Sequence, residues 1–154
     1  MAQLQPYCAI EGNDDGLPVV FVHGMGVDHR SLMMLDKAFD GNDSIRRIYL
    51  DLPGFGRTPA LPEHACGLPE IADWLQTAID GLVGKAAPFA MVGNSMGGAL
   101  VREVLAREPR RVAGMALIAP VVDPQHAGRH VAEHVVAQPN PKLTHSLPQE
   151  QVFD

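Results

Sequence analysis

The sequence has little of three features that would each indicate a particular class of protein. It has only two cysteines, Cys8 and Cys66, in neither a CxxC motif nor a zinc-ligand spacing, which favours a reduced, cytoplasmic protein. No apolar run approaches the length that a membrane-spanning helix needs. No cluster of Lys and Arg exceeds a pair, and the formal net charge is −6. We therefore expect neither nucleic acid nor a membrane surface as a partner.

What is present fits one folded domain. The chain has 154 residues, of which 46% are hydrophobic and 19% charged, and this composition argues against disorder. Apolar runs at 18–22, 45–50, 89–92 and 112–119 have the continuous pattern of buried strands, and 7–10 fits an edge strand. Helical patterns at 28–39, 69–82 and 96–107 separate these runs. The alternation predicts an α/β fold, with a mostly parallel sheet and helices on both faces.

The most specific motif is Gly93-Asn94-Ser95-Met96-Gly97, between the apolar run at 89–92 and the following helical pattern. A serine on a sharp turn between a buried strand and a helix is the usual presentation of a nucleophilic hydroxyl. A side chain at either flanking glycine would collide with the backbone of so tight a bend. The free N–H groups of the helix would face negative charge that develops on a substrate. Ser95 is therefore the predicted nucleophile.

A second motif, His23-Gly24-Met25-Gly26, follows the predicted strand at 18–22. Its glycines allow backbone amides to turn toward a ligand. Acyl transfer by a serine needs N–H donors at the oxyanion, each worth roughly 3–4 kcal/mol of transition-state stabilisation. We expect the backbone amides of Met25 and Met96 to supply these donors.

A third motif covers residues 51–56 and follows the predicted strand at 45–50. It begins with Asp51 and contains two glycines and a proline, which indicate a tight loop. An aspartate at such a position can accept hydrogen bonds from nearby backbone amides. We interpret Asp51 as a structural cap of this loop and not as a catalytic acid.

In this order, the three motifs resemble those of the α/β-hydrolase superfamily, and the Gly-Asn-Ser-Met-Gly-Gly form looks most like its carboxylesterase and carbon–carbon-bond hydrolase branches. The resemblance covers about residues 17–120. It implies the α/β-hydrolase fold, and it implies that His23 shapes the oxyanion loop and is not the general base. It also implies a lid after the strand at 112–119. We therefore divide the chain into a core over 1–122 and a lid or cap segment over 123–154, which we expect to be truncated.

The sequence departs from the family pattern after the predicted lid. A complete member continues into two more strands that bring the catalytic acid and histidine, so the resemblance predicts an incomplete fold. Asp123 stands where some members place their acid, and four histidines follow it, at His126, His130, His134 and His145. A base must come within about 2.6–3.2 Å of the serine hydroxyl. Because these histidines belong to the predicted lid, we do not expect a catalytic triad within this chain.

Three of these histidines have a spacing that also occurs in metal sites. His126, His130 and His134 stand at i, i+4 and i+8, on one side of a helix. Gly128 weakens such a helix, and no carboxylate or cysteine completes an obvious ligand set. A solvated helix face is the favoured interpretation, and we expect neither a metal nor a cofactor.

These observations favour a serine hydrolase that acts on a small-molecule ester or a similar activated carbonyl. Two alternatives stay open. The chain could be a non-catalytic product that binds acyl-like ligands and forms a homodimer through an exposed sheet edge. It could also keep the reactive serine and pass the acyl group to another nucleophile, as an acyltransferase or a cofactor-free perhydrolase does.

Overall fold

The computed structural model describes residues 4–122 of the chain. These residues form strands β1 (Cys8–Gly12), β2 (Leu17–Val22), β3 (Ile45–Leu50), β4 (Phe89–Asn94) and β5 (Val112–Ile118). The five strands lie side by side in the order β1-β3-β2-β4-β5. β1 is antiparallel to β3, and all other neighbours are parallel. The predicted α/β architecture with a mostly parallel sheet is confirmed.

Two long helices follow the strands. α2 (Leu68–Val83) begins with proline at its first turn, and α3 (Met96–Arg107) begins directly after β4. A shorter helix, α1 (Arg30–Met33), lies between β2 and β3. Among the described residues, no helix is both long enough and apolar enough to cross a membrane.

The sequence predicted one continuous helix over 28–39, and this prediction is wrong. After α1 the chain turns into a separate 3-10 helix, Asp36–Phe39. The Asp36 carboxylate accepts hydrogen bonds from the Arg47 guanidinium at 2.7 Å and from the Tyr49 hydroxyl at 2.9 Å, both on β3. These contacts hold Asp36 against the sheet. Asp36 begins the 3-10 helix, whose turns are tighter than those of an α-helix.

Side chains of the central strands alternate between two hydrophobic layers. On β2, Val20 and Val22 pack with α2 and α3, whereas Val19 and Phe21 pack on the opposite face, with Leu32 of α1. Both faces of the central strands are therefore covered by helices, as the alternation of strand and helix patterns predicts.

β5 lies where the sequence predicted a strand, but it is not buried as its apolar pattern suggested. Val112 is half-buried and the residues after it are exposed. Met115, Leu117 and Ile118 keep 36%, 36% and 38% of their surface accessible. Among residues 4–122, β4 is the one strand that pairs with β5, so β5 forms an open edge of the described sheet.

Candidate active site

Ser95 occupies the tight turn between β4 and α3. Its backbone has φ 51° and ψ −116°, a conformation that a residue other than glycine seldom adopts. Its N–H donates to the Ile118 carbonyl at 3.0 Å, and its own carbonyl accepts from the N–H groups of Gly98 and Val121 at 2.9 and 3.0 Å. Backbone contacts from two sides therefore hold the strained residue in place. The assignment of Ser95 as a nucleophile stays a prediction.

The two glycines around Ser95 are needed because other backbone lies very close to them. A Cβ atom on Gly97 would collide with the carbonyl oxygen of Val22 on the neighbouring strand. A Cβ atom on Gly93 would lie 2.6 Å from the carbonyl oxygen of Gly97. The spacing predicted from the sequence thus has a steric cause in the structure.

The loop after β2, residues 23–29 and here called the β2 loop, lies directly against the turn at Ser95. A Cβ atom on Gly24 would be 3.2 Å from the Cβ of Ser95 and 3.0 Å from the Asn94 side-chain oxygen. Met25 follows Gly24, and Met96 is the first residue of α3, where the N–H groups have no partner within the helix. The assignment of these two amides to an oxyanion site stays a prediction.

His23 is fully buried, and both of its ring nitrogens have backbone partners. Nε2 accepts the N–H of Leu52 at 3.0 Å, so Nδ1 carries the proton and donates to the Gly24 carbonyl at 2.7 Å. Burial lowers the pKa of His23, because the imidazolium form would lose its hydration. A neutral ring with both nitrogens occupied can shape the β2 loop, but it has no nitrogen left to accept a proton from Ser95.

Asp51 begins the loop after β3, residues 51–58 and here called the β3 loop. Its carboxylate is fully buried. One oxygen accepts from the backbone N–H and the ring Nδ1 of His29, both at 2.8 Å, and the other accepts from the N–H of Arg57 at 2.8 Å. These bonds match the interpretation of Asp51 as a structural cap.

His29 was not predicted as a site residue. Its ring is buried between Asp51 and the ring of Tyr7, at a centroid distance of 5.1 Å from the Tyr7 ring. The pattern that could have indicated it is a second histidine at the end of the glycine-containing loop that His23 begins. The partner could not be predicted, because Asp51 is 22 residues away in the sequence.

Asp28, His29 and Asp51 place potential metal-ligand atoms within 4.8 Å of one another. However, the guanidinium of Arg30 binds the Asp28 carboxylate at 2.6 Å and holds the pKa of that carboxyl at about 2. His29 and Asp51 are bonded to each other. These pairings use the atoms that a metal ion would need, so we assign no metal to the cluster.

An open cleft of about 560 Å³ separates the β2 loop and α1 from the β3 loop. Its apolar surface comes from Val27, Met34 and Phe55, and Asp28 and Arg30 lie on the same wall. Ser95 does not line the cleft. The β2 loop nevertheless connects the two places, because it borders the cleft at Gly26 and Val27 and lies against Ser95 at Gly24.

Burial argues against Cys8 as a reactive thiol. Cys8 and Cys66 are both free thiols, and Cys66 donates to the Glu63 carbonyl at 3.1 Å. Burial raises the pKa of the Cys8 thiol to about 12, so the thiol stays protonated at neutral pH.

The candidate acid and the lid histidines lie outside the described residues, and so does the lid segment itself. These are Asp123, His126, His130, His134 and His145. Within residues 4–122, no hydrogen bond joins a histidine to the hydroxyl of Ser95, and the division of the chain at 122 stays a prediction.

The sequence matches the family described as "alpha/beta hydrolase fold" over residues 18–140. The chain belongs to the α/β-hydrolase family. Among solved structures, this α/β-hydrolase chain is similar to an α/β superfamily hydrolase from Oenococcus oeni PSU-1, with a TM-score of 0.72 and 24% identity. That alignment covers 92% of this chain and 56% of the other.

Two curated relatives carry different named activities. The chain is 34% identical to the dihydrolipoyllysine-residue acetyltransferase component of an acetoin cleaving system from Pseudomonas putida, over 70% of this chain and 28% of the relative. It is 31% identical to a pimeloyl-[acyl-carrier protein] methyl ester esterase from Hamiltonella defensa, over 84% of this chain and 44% of the relative. The chain therefore spans less than half the length of these relatives.

Proposed function

We propose that this chain carries the nucleophile of a serine hydrolase that cleaves an ester or a similarly activated carbonyl. The observation that carries the proposal is the strained backbone of Ser95, held at φ 51° with the Gly24 segment against it. A strained turn of this kind exposes a hydroxyl at the carboxyl edge of the sheet, where α/β folds bind ligands.

In the proposed reaction, the Ser95 oxygen attacks the carbonyl carbon and its proton passes to a general base. The tetrahedral intermediate then expels the alcohol, which takes up that proton and leaves an acyl group on Ser95. Water attacks the acyl group in the same way, releases the carboxylic acid and restores the serine.

The amides of Met25 and Met96 are the proposed donors to the oxyanion. They come from two segments that meet at Ser95, the β2 loop and the start of α3. The helix also directs the positive end of its dipole at the same point. Each donor would contribute roughly 3–4 kcal/mol to transition-state stabilisation.

The base and the acid are assigned to residues after the described part of the chain. In this family the order along the sequence is serine, acid, histidine. Asp123 remains a candidate acid. His23 and His29 each form hydrogen bonds with other groups, and His64 is exposed in a 3-10 helix that follows the β3 loop in the sequence. We therefore assign the base to none of these three histidines.

The cleft between the β2 and β3 loops is the proposed binding site for the apolar part of a small-molecule substrate. Val27, Met34 and Phe55 supply the apolar surface, and methionine adapts its shape to different ligands. The methyl ester esterase among the relatives supports an ester as the substrate class.

Two other functions have observations in their favour. The acetyltransferase component among the relatives favours transfer of the acyl group to another nucleophile. The exposed apolar β5 edge favours a non-catalytic chain that pairs with a second copy.

A fluorophosphonate probe tests the proposal, because it reacts with an activated serine. Because no catalytic triad is expected within this chain, labelling should be slow and should depend on the oxyanion donors. We expect it at one site, lost in Ser95→Ala and unchanged in the matched control Ser44→Ala, which removes an exposed hydroxyl in a turn. A folded chain that is not labelled would favour the non-catalytic function. Protein acylated at Ser95 by an activated ester, in place of the probe, would favour transfer if it passed the acyl group to an added amine or peroxide faster than to water.

A further inference from the structure

Both ends of the β2 loop are bound to adjacent residues of the β3 loop through buried histidines. At the first end, the His23 ring accepts the N–H of Leu52 at 3.0 Å. At the other end, the His29 ring and its backbone N–H both donate to Asp51 at 2.8 Å. The segment 24–28 is thus anchored by hydrogen bonds at both ends, to Leu52 at one end and to Asp51 at the other.

The middle of this segment, residues 25–27, has little packing of its own. Met25 keeps 72% of its surface accessible and Val27 keeps 43%. Gly26 has φ 76°, and a Cβ atom built on it would meet nothing within 4 Å. Because few contacts order the middle of this segment, its position depends on how its ends are held.

The His29 end depends on a buried charge. Asp51 has no exposed surface, and a buried carboxylate is stable only when hydrogen-bond donors surround it. Its donors are the two N–H groups of His29 and the N–H of Arg57. The His29 ring is itself fixed, since it is 9% exposed and packs on Tyr7.

We propose that His29 is a positioning residue for the oxyanion site. Its ring Nδ1–H bond to Asp51 holds the far end of the β2 loop and thereby sets the orientation of the Met25 amide. The inference rests on the proposed function, because it assumes that this amide faces the oxyanion. His29 itself touches neither the substrate nor Ser95.

The test uses two amide substitutions of His29 that differ in where the side-chain N–H lies. His29→Asn places an N–H close to the position of Nδ1 and can keep the bond to Asp51. His29→Gln places it near the position of Nε2, which points away from Asp51. His64→Gln is the matched control, because His64 is exposed and outside the loop.

Amide hydrogen exchange gives a readout that does not require activity. In His29→Gln we expect exchange at 24–28 to rise by roughly tenfold or more, as one lost bond to a charged group predicts. Exchange in β4 should not change, and His29→Asn and His64→Gln should behave like the original chain. Unchanged exchange at 24–28 in His29→Gln, equal loosening in both His29 variants, or loss of folding in His29→Gln would each overturn the proposal.

Labelling of Ser95 separates this inference from the proposed function. If the original chain is labelled, the rate constant for reaction of the bound probe with Ser95 should fall in His29→Gln and recover in His29→Asn. The probe concentration that gives half of the maximal labelling rate should be the same in all three chains. If the original chain is not labelled, the proposed function fails, and the exchange experiment still decides whether His29 holds the loop.

Discussion

The centre of the sheet and its β5 edge are built from similar apolar residues but are held very differently. At the centre, β2 and β4 pack so closely against α3 that Gly97 has no room for a methyl group beside the Val22 carbonyl. At the edge, Gly114 of β5 has nothing within 4 Å of a Cβ position, and Met115 is 36% exposed. The comparison teaches that a strand's apolar sequence does not determine its burial, which depends on what lies next to it.

The largest expected effect comes from filling the closest contact at the centre. Gly97→Ala should lower the free energy of unfolding by about 3 kcal/mol, because the new methyl group collides with strand backbone that cannot move easily. Urea unfolding followed by circular dichroism measures the change.

Gly81→Ala is the matched control for Gly97→Ala. Gly81 lies inside α2, and its Cβ position is free of neighbours within 4 Å, so alanine should stabilise the chain by roughly 0.5–1 kcal/mol. If both substitutions changed the free energy of unfolding equally, this result would contradict the close approach of α3 to β2.

A smaller effect concerns the buried imidazole at the centre. Burial lowers the pKa of His23 in the folded chain below the value of about 6.5 that it has when unfolded. The unfolded state therefore binds a proton first as pH falls. Stability should be fully present above pH 6.5 and decrease below it, with a slope of at most about 1.4 kcal/mol per pH unit from this residue.

Urea unfolding at several pH values between about 7 and 5 measures this slope, since most carboxyl groups titrate at lower pH. His23→Gln can still accept the Leu52 N–H but cannot be protonated. It should reduce the slope, whereas the same change at exposed His64 should not. An unchanged slope in His23→Gln would contradict the assignment of a neutral His23.

The smallest expected effect on stability is at the edge. Met115→Lys should change the free energy of unfolding by less than about 0.5 kcal/mol, since the side chain is partly exposed. It should, however, weaken any pairing of β5 with a second copy, because lysine on an edge strand opposes strand addition. Sedimentation measures the mass at increasing concentration against 16.6 kDa for one chain.

Met34→Lys provides the comparison for Met115→Lys. Met34 is 81% exposed and lies beside α1, away from β5. We expect Met34→Lys to associate like the original chain and Met115→Lys to remain a monomer. If the original chain and both variants associated equally, β5 would be excluded as the surface through which two copies pair.

Features that depend on local order along the chain were predictable from the sequence. The strands at 45–50, 89–92 and 112–119, the helix that begins at Met96 and the turn at Ser95 all follow from apolar periodicity, from glycine spacing or from a strand running into a helix. The family and the fold class followed from the order of three motifs. Each of these inferences needs only residues that are close in the sequence.

Features that depend on contacts between distant segments were not predictable. The helix expected over 28–39 is divided, and Asp36 there is bonded to Arg47 and Tyr49 on β3. β5 was expected to be buried, because an apolar pattern does not say which strands or helices will cover it.

The class of sheet, the family and the residue proposed as the nucleophile all follow from the order of residues along the chain. The support of that residue depends on contacts that form only in the folded chain. The β2 and β3 loops meet because their strands are neighbours in the sheet, and this brings His29 to Asp51 across 22 residues of sequence. Local patterns record the periodicity of a segment, whereas a buried hydrogen bond requires two segments to be brought together by the fold.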